Sequence, residues 1–296
     1  MSEIIAYKDQ NNEYFDFEIE NSKPVRAKSD DALNIMRHDM AHVLAEAVIS
    51  IFPTAKPTIG PFIKNGFYYD FDMDSALSDD DINKIEGKIK EILNEGREFN
   101  KKVVSKDEAL NFFKDNKYKL ELINNLDNAA EITLYEQKNF TDLCKGPHHK
   151  STKEYEAHVK ITNVSGAYWR GISTNKMLQR VYATAWYSEK ELNKYLKNLE
   201  EAKERNHRRL GSDMGLFLLT DLSAGNVFWK DKGLTLYQNI EKYIRSEQKK
   251  LNYYEVKTPE LVSNELLVKS GHWDNFQENM FTSEKDNKTF ALKPMN

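Results

Sequence analysis

Apolar and polar positions follow two rhythms along the chain. From Asp31 to Ile51 the spacing predicts a helix that stops before Pro53. At about 100° per residue, Met36, Met40, Val43, Leu44, Ala47 and Ile51 share one face. His38 and His42 fall on the opposite face, in the same row as Ala45 and Ile49. A merely solvated face carries Lys and Glu, so this second apolar-lined face is expected to border a cleft. Ser78 with Asp81 forms a capping pair opening a second helix, with Ile82, Ile85, Ile89 and Ile92 as its stripe and Gly96 at its end. Ser188 with Glu191 opens a third, carrying Leu192, Tyr195, Leu196 and Leu199, then the basic run KERNHRRLG, with Gly211 closing it. Leu234, Tyr237, Ile240 and Ile244 predict a long amphipathic helix to Leu251.

The other rhythm is that of strands. Tyr14, Phe15, Phe17 and Ile19 predict a short β segment before a turn at Asn21, Ser22 and Pro24. GPFIKNGFYYDFD, from Gly60 to Asp72, predicts a hairpin turning at Asn65-Gly66. Lys119 alternates with Tyr118, Leu120 and Leu122, which predicts a strand with a solvated lysine. A strand-like region runs from about Thr162 to Trp186 and contains GAYWRG, and another strand is expected from Tyr253 to Lys257 before Pro259. Helices and strands in this order give an α+β fold, and the highly charged segment after Ser188 is the expected interdomain linker.

Length and charge narrow the possibilities. A chain of 296 residues fits two domains with a short extra piece. The net charge of −4 excludes a DNA-coating protein, so nucleic-acid contact must come from local patches. No apolar run approaches the roughly 18 residues of a membrane span. Cys144 is the single cysteine, which excludes an internal disulfide and points to a reducing, cytoplasmic setting.

That cysteine belongs to the one constellation able to carry chemistry. His38 and His42 stand four apart, side by side on a helix. Cys144 and His148 have the same spacing, but Gly146 and Pro147 between them place the pair on a loop, with Asp142 and Lys145 nearby. Three imidazoles and a thiol suit a tetrahedral zinc site, or equally a substrate pocket that steers a water molecule. The plain alternatives are surface or capping histidines and a small core cysteine. His149, His158, His207 and His272 lack comparable partners and read as structural or exposed. Tyr68 and Tyr69 read as core aromatics, and Lys203, Arg205, Arg208 and Arg209 as a solvated helix end.

In order, RHDMAHVLAEAV, IGPFIKNGFYYDFD, YKLELI, DLCKGPHHKST, GAYWRG with NKMLQRVYATAW, and NHRRLGSDMGLF resemble the threonyl-tRNA synthetases. GLTLYQNIEKYIRSEQKKLNYYEVKTPELV and SGHWDNFQENMF are similar to the motif 1 region opening the class II catalytic domain. The resemblance implies a short segment over 1–30 in place of a complete β-grasp module, an editing domain of the threonyl/alanyl type over 31–195, a linker helix over 196–215, and over 216–296 the first part of an antiparallel class II catalytic domain. It implies hydrolysis of the serine ester of mischarged threonine tRNA. One methyl separates serine from threonine, worth roughly 1–3 kcal/mol in a pocket, too little for a single selection step.

The family's editing residues fall on His38, His42, Lys119, Cys144 and His148, with Tyr69 and Asp142 in the pocket. In this reading His38 positions or deprotonates the attacking water with the terminal ribose hydroxyl, and Lys119 stabilises the oxyanion or bonds the tRNA end. Cys144, His148 and Asp142 hold the serine amino and hydroxyl groups. No metal is expected at this site and no cofactor in this chain; zinc and ATP-Mg belong to the complete catalytic domain. The sequence ends at ALKPMN, where the family continues with a zinc-binding cysteine, so a fragment without ligase activity is expected. The expected partners are threonine tRNA and, through motif 1 in the complete protein, a second copy, with no membrane and no DNA. The competing readings are an inactive tRNA-binding or dimerising fragment, and a zinc hydrolase of unrelated substrates.

Overall fold

The computed structural model describes residues 3–127, 131–223, 226–277 and 280–293. Two compact units divide at Glu204 and Arg205, a boundary inside the expected linker over 196–215. All strand pairs are antiparallel. Among the described residues no helix is long and apolar enough to cross a membrane.

The first unit begins with a small sheet of β1 (Ile4–Lys8), β2 (Tyr14–Phe15) and β3 (Lys23–Arg26), with β1 in the middle. Helix α1 (Asp30–Ile51) follows, its N-cap Ser29 accepting from the Ala32 N–H and its first turn acidic, as the helix dipole favours. The main sheet runs β10 (His158–Tyr168), β11 (Met177–Trp186), β6 (Gly66–Asp72), β4 (Lys56–Pro57), with β5 (Phe62–Ile63) also on β6. Helix α2 (Asp79–Glu95) carries the Ser78–Asp81 capping box and buries Ile85, Ile89 and Ile92. With α1 and the apolar side chains of β6 and β11 they form the main core. Each such isoleucine contributes roughly 1.5–3 kcal/mol of burial.

A second sheet, β7 (Asn100–Val104), β8 (Ile132–Gln137), β9 (Phe140–Leu143), packs with α3 (Lys106–Phe112) and α4 (Lys117–Asn124) around Ala109, Phe113, Ile123, Ile132 and Leu134. Helix α5 (Glu189–Glu204) closes the unit, with the Ser188–Glu191 pair at its start. The second unit holds α6 (His207–Asp213), a β12 (Phe217–Leu218) and β13 (Phe228–Trp229) pair, and α7 (Asp231–Lys250). It ends in α8 (Asn264–Lys269), α9 (His272–Phe276) and a sheet ordered β14 (Leu261–Ser263), β16 (Lys288–Leu292), β15 (Thr282–Lys285).

Several expectations are corrected. Lys119 lies on helix α4, not on a strand: the Asn116 side chain accepts from the Tyr118 and Lys119 N–H groups and caps it. The hairpin turns at Lys64 and Asn65, one residue early. Gly66 serves the sheet instead, since a Cβ there would meet the Ala183 carbonyl oxygen at 2.2 Å. The charged helix breaks at Arg205-Asn206, where the Asn206 side chain caps α6. Gly211 lies inside α6, beneath the Phe217 ring. Residues Tyr253–Lys257 form no strand and are exposed. The last residues of ALKPMN, 294–296, lie outside the described residues.

Candidate active site

The site forms where α1 meets the loop after β9. Four residues of helix place His38 and His42 on neighbouring turns, with ring centroids 5.3 Å apart. The His148 ring approaches both at 4.4 Å and stacks on Phe99 at 4.9 Å. Gly146, at φ +76°, lets the loop fold back; a Cβ there would meet the Tyr135 Oη at 2.2 Å.

Cys144 is the centre. Its Sγ lies 3.3 Å from His38 Nε2 and 3.3 Å from His148 Nε2, and accepts the Gly146 N–H at 3.2 Å. Burial opposes a charge on this thiol, but the two imidazoles more than offset it and hold its pKa well below the ordinary range. Burial likewise opposes a charge on His148, yet Cys144 and Asp39 push it up to about 10. Both shifts favour the charged pair, an imidazolium at His148 facing a thiolate at Cys144. His42 moves the other way: burial, then His148, lowers its pKa.

Two buried carboxylates support the cluster. Asp39 accepts from His148 Nδ1 at 2.8 Å, His149 Nδ1 at 2.7 Å and the Tyr155 hydroxyl at 2.7 Å. Burial raises its pKa, but the two histidines outweigh that and hold it at about 2. Asp142 is bonded by the Lys119 ammonium, by the Tyr69 hydroxyl at 2.5 Å and by the Leu143 N–H at 2.8 Å. Lys119 also reaches Tyr69 Oη at 3.4 Å and is only 2% exposed. Burial first, then Asp142, raises the Tyr69 pKa well above its ordinary value. His42 Nε2, 3.9 Å from Asp142, links the two networks.

All seven residues expected at the site thus meet in one place, although the lysine is locked in a buried ion pair. Sequence reasoning missed Asp39, Tyr155 and the bonding of His149. The available signal was an aspartate between two histidines within an otherwise apolar stretch, because a buried carboxylate needs partners. His158 stands apart, paired with Glu156.

The arrangement supports two chemistries. A cavity of about 520 Å³ reaches His38 and is lined also by Thr133, Gly146 and Pro147, so an ester can approach the His38 imidazole. Donor atoms of His38, His42, Cys144 and His148 also lie within 4.8 Å of one another. The buried His42 Nδ1 has no hydrogen-bond partner, and Asp39 orients His148 as an outer carboxylate orients a metal-bound histidine. These residues therefore fit a zinc ion.

A family model described as "Threonyl and Alanyl tRNA synthetase second additional domain" matches residues 132–182, which carry Asp142, Cys144 and His148. The chain is 48% identical over 302 residues to the threonine–tRNA ligase of Ehrlichia chaffeensis, covering 100% of this chain and 47% of that protein. It is 46% identical over 304 residues to that of Wolbachia pipientis, covering 100% and 48%. Among solved structures, the RNA binding domain of threonyl-tRNA synthetase from Cryptosporidium parvum matches 31% of this chain and 23% of that one, at 40% identity and a TM-score of 0.30. Along its whole length the chain is similar to threonine–tRNA ligases, and it spans about half the length of the curated relatives it matches.

Proposed function

We propose that the first unit hydrolyses the serine ester of mischarged threonine tRNA. The observation that carries this reading is the convergence of His38 and His148 on Cys144, backed by two buried carboxylates, with His38 lining a cavity. In this reading His38 takes a proton from a water, whose oxygen attacks the ester carbonyl. The carbon–oxygen bond to the ribose then breaks and the ribose oxygen regains a proton, releasing serine and intact tRNA. The Cys144–His148 pair and Asp142 bind the amino and hydroxyl groups of serine. Lys119 acts through Asp142, because its ammonium is committed to that carboxylate and to Tyr69. Partnership with threonine tRNA and a cytoplasmic setting belong to the same reading, as does a second, class II catalytic portion joined to a homodimer through the segment containing α7. ATP-Mg and a catalytic zinc belong to that complete portion.

The experiment that separates this from a purely tRNA-binding fragment uses His148→Ala. Hydrolysis of seryl-tRNA is expected to fall about 10²- to 10⁴-fold while tRNA binding persists. Equal hydrolysis by both proteins would refute the reading.

A second reading rests on the four converging donors. His38, His42, Cys144 and His148 would hold zinc, which would lower the pKa of a bound water. Stoichiometric zinc in the purified chain, lost in Cys144→Ala, would establish it.

A further inference from the structure

The cavity at His38 has a wall that the hydrolase reading does not use. Residues Tyr14, Phe15, Asp16 and Phe17 of the N-terminal segment line it together with Gly146 and Pro147. This segment is fastened across the site. The Asp16 carboxylate accepts from Lys101 Nζ on β7 at 2.8 Å and from the Tyr135 hydroxyl on β8 at 3.2 Å. Tyr135 in turn packs its ring, tilted by 58°, with its centroid 4.4 Å from that of His148. Tyr14 is tied to α1 through Asp31 at 2.7 Å, and its ring meets Phe62 at 5.9 Å, which stands 6.4 Å from His38. Aromatic rings therefore lead from the N-terminal strands to the reacting groups.

Phe17 stands out in this wall. It is 62% exposed, outside every apolar cluster of the unit, yet beside the anchored Asp16 and at the cavity. Folding gains little from a phenyl ring held in water. A ring presented at a cavity that a cation also lines, here Lys145, is the arrangement that stacks a nucleobase and attracts its phosphate.

We propose that the N-terminal strands contact the substrate: Phe17, pinned by the Asp16 bridge, stacks on a base at the acceptor end whose ester is cleaved beside His38. This rests on the hydrolase reading and adds a recognition element from outside the expected editing segment over 31–195. Phe17 is a binding residue, and Asp16 a positioning residue that acts through it.

The test uses the full chain, seryl-tRNA for kinetics, and a non-hydrolysable 3′-amide-linked seryl-adenosine carrying the preceding cytidine nucleotides for binding. Phe17→Ala and Phe17→Leu are expected to raise Kd and KM about five- to one-hundred-fold, with KM rising more than kcat falls. Phe17→Tyr is expected to restore both, because its ring keeps the stacking face. Asp16→Asn is expected to raise Kd about two- to fivefold. Wild-type binding and hydrolysis accompanied by wild-type Kd in Phe17→Ala, or by full binding in Phe17→Leu, would overturn the proposal alone. A folded wild-type chain that neither binds the amide nor hydrolyses the ester would overturn the hydrolase reading and the proposal with it.

Discussion

In the first unit, Ile85, Ile89 and Ile92 of α2 are buried against α1 and the main sheet. In the second, Leu234, Tyr237, Ile240 and Ile244 of α7 show a comparable spacing and are 43% to 52% exposed. Among the described residues, Leu267 and Ala291 are the only buried apolar side chains of that unit. Charges divide the same way. Lys119 and Asp142 form a buried pair, whereas Arg245 bridges Glu241 and Glu255 at the surface. Amphipathic spacing thus determines a helix and its apolar face, while burial depends on which other elements come to cover that face. The unit with a completed core also holds the polar cluster in fixed geometry.

Breaking the charge pairs separates the units most sharply. Lys119→Met leaves Asp142 buried without its cation and is expected to cost about 3–5 kcal/mol in denaturant unfolding of the first unit. Glu241→Gln in α7 is expected to cost under about 1 kcal/mol. Equal losses would mean that the Lys119–Asp142 pair is not buried in solution. Apolar truncation comes next. Ile89→Ala is expected to cost about 2–5 kcal/mol, and Ile240→Ala about 0.5 kcal/mol or less in the same measurement.

Acid sharpens the contrast by a smaller amount. Asp39 has an ordinary carboxyl pKa of 3.8 when unfolded and one of about 2 when folded. Its contribution is therefore complete above pH about 4 and disappears as the pH falls through about 2. The first unit is expected to lose roughly 2 kcal/mol over that window. An Asp39→Asn protein, already weakened at neutral pH, is expected to lose less there, and equal acid slopes would exclude this role. The smallest effect concerns Cys144, the single cysteine. Its alkylation by iodoacetamide is expected to be nearly independent of pH between about 6 and 8, whereas an ordinary thiol accelerates towards its pKa of about 8.5. A rate that climbs through that range would show that the thiol is not held ionised by His38 and His148.

Much of this was legible in the sequence where a local rule acted alone. The Ser78–Asp81 box and the isoleucine stripe suffice to define α2. The two four-residue spacings, His38 with His42 and Cys144 with His148, marked residues that the fold brings together. Legibility failed where tertiary contacts decide. Tyr118 to Leu122 alternates like a strand, but the same residues satisfy helical spacing, and the Asn116 cap together with burial of Lys119 against Asp142 selects the helix. Asp39 escaped notice because its partners, His149 and Tyr155, lie more than a hundred residues away along the chain. Phe17 suggested only a short strand, and its place at the cavity depends on the Asp16 bridge to β7 and β8.

The central claim is that the first unit is an ester hydrolase selective for serine. Its most direct test is deacylation of seryl-tRNA and threonyl-tRNA, both on threonine tRNA, by the full chain and by His38→Ala. The account predicts rapid loss of serine, retention of threonine, and a loss of serine hydrolysis of about 10²- to 10⁴-fold in the variant. Hydrolysis of both esters at similar rates, or serine hydrolysis unaffected by the variant, would contradict it.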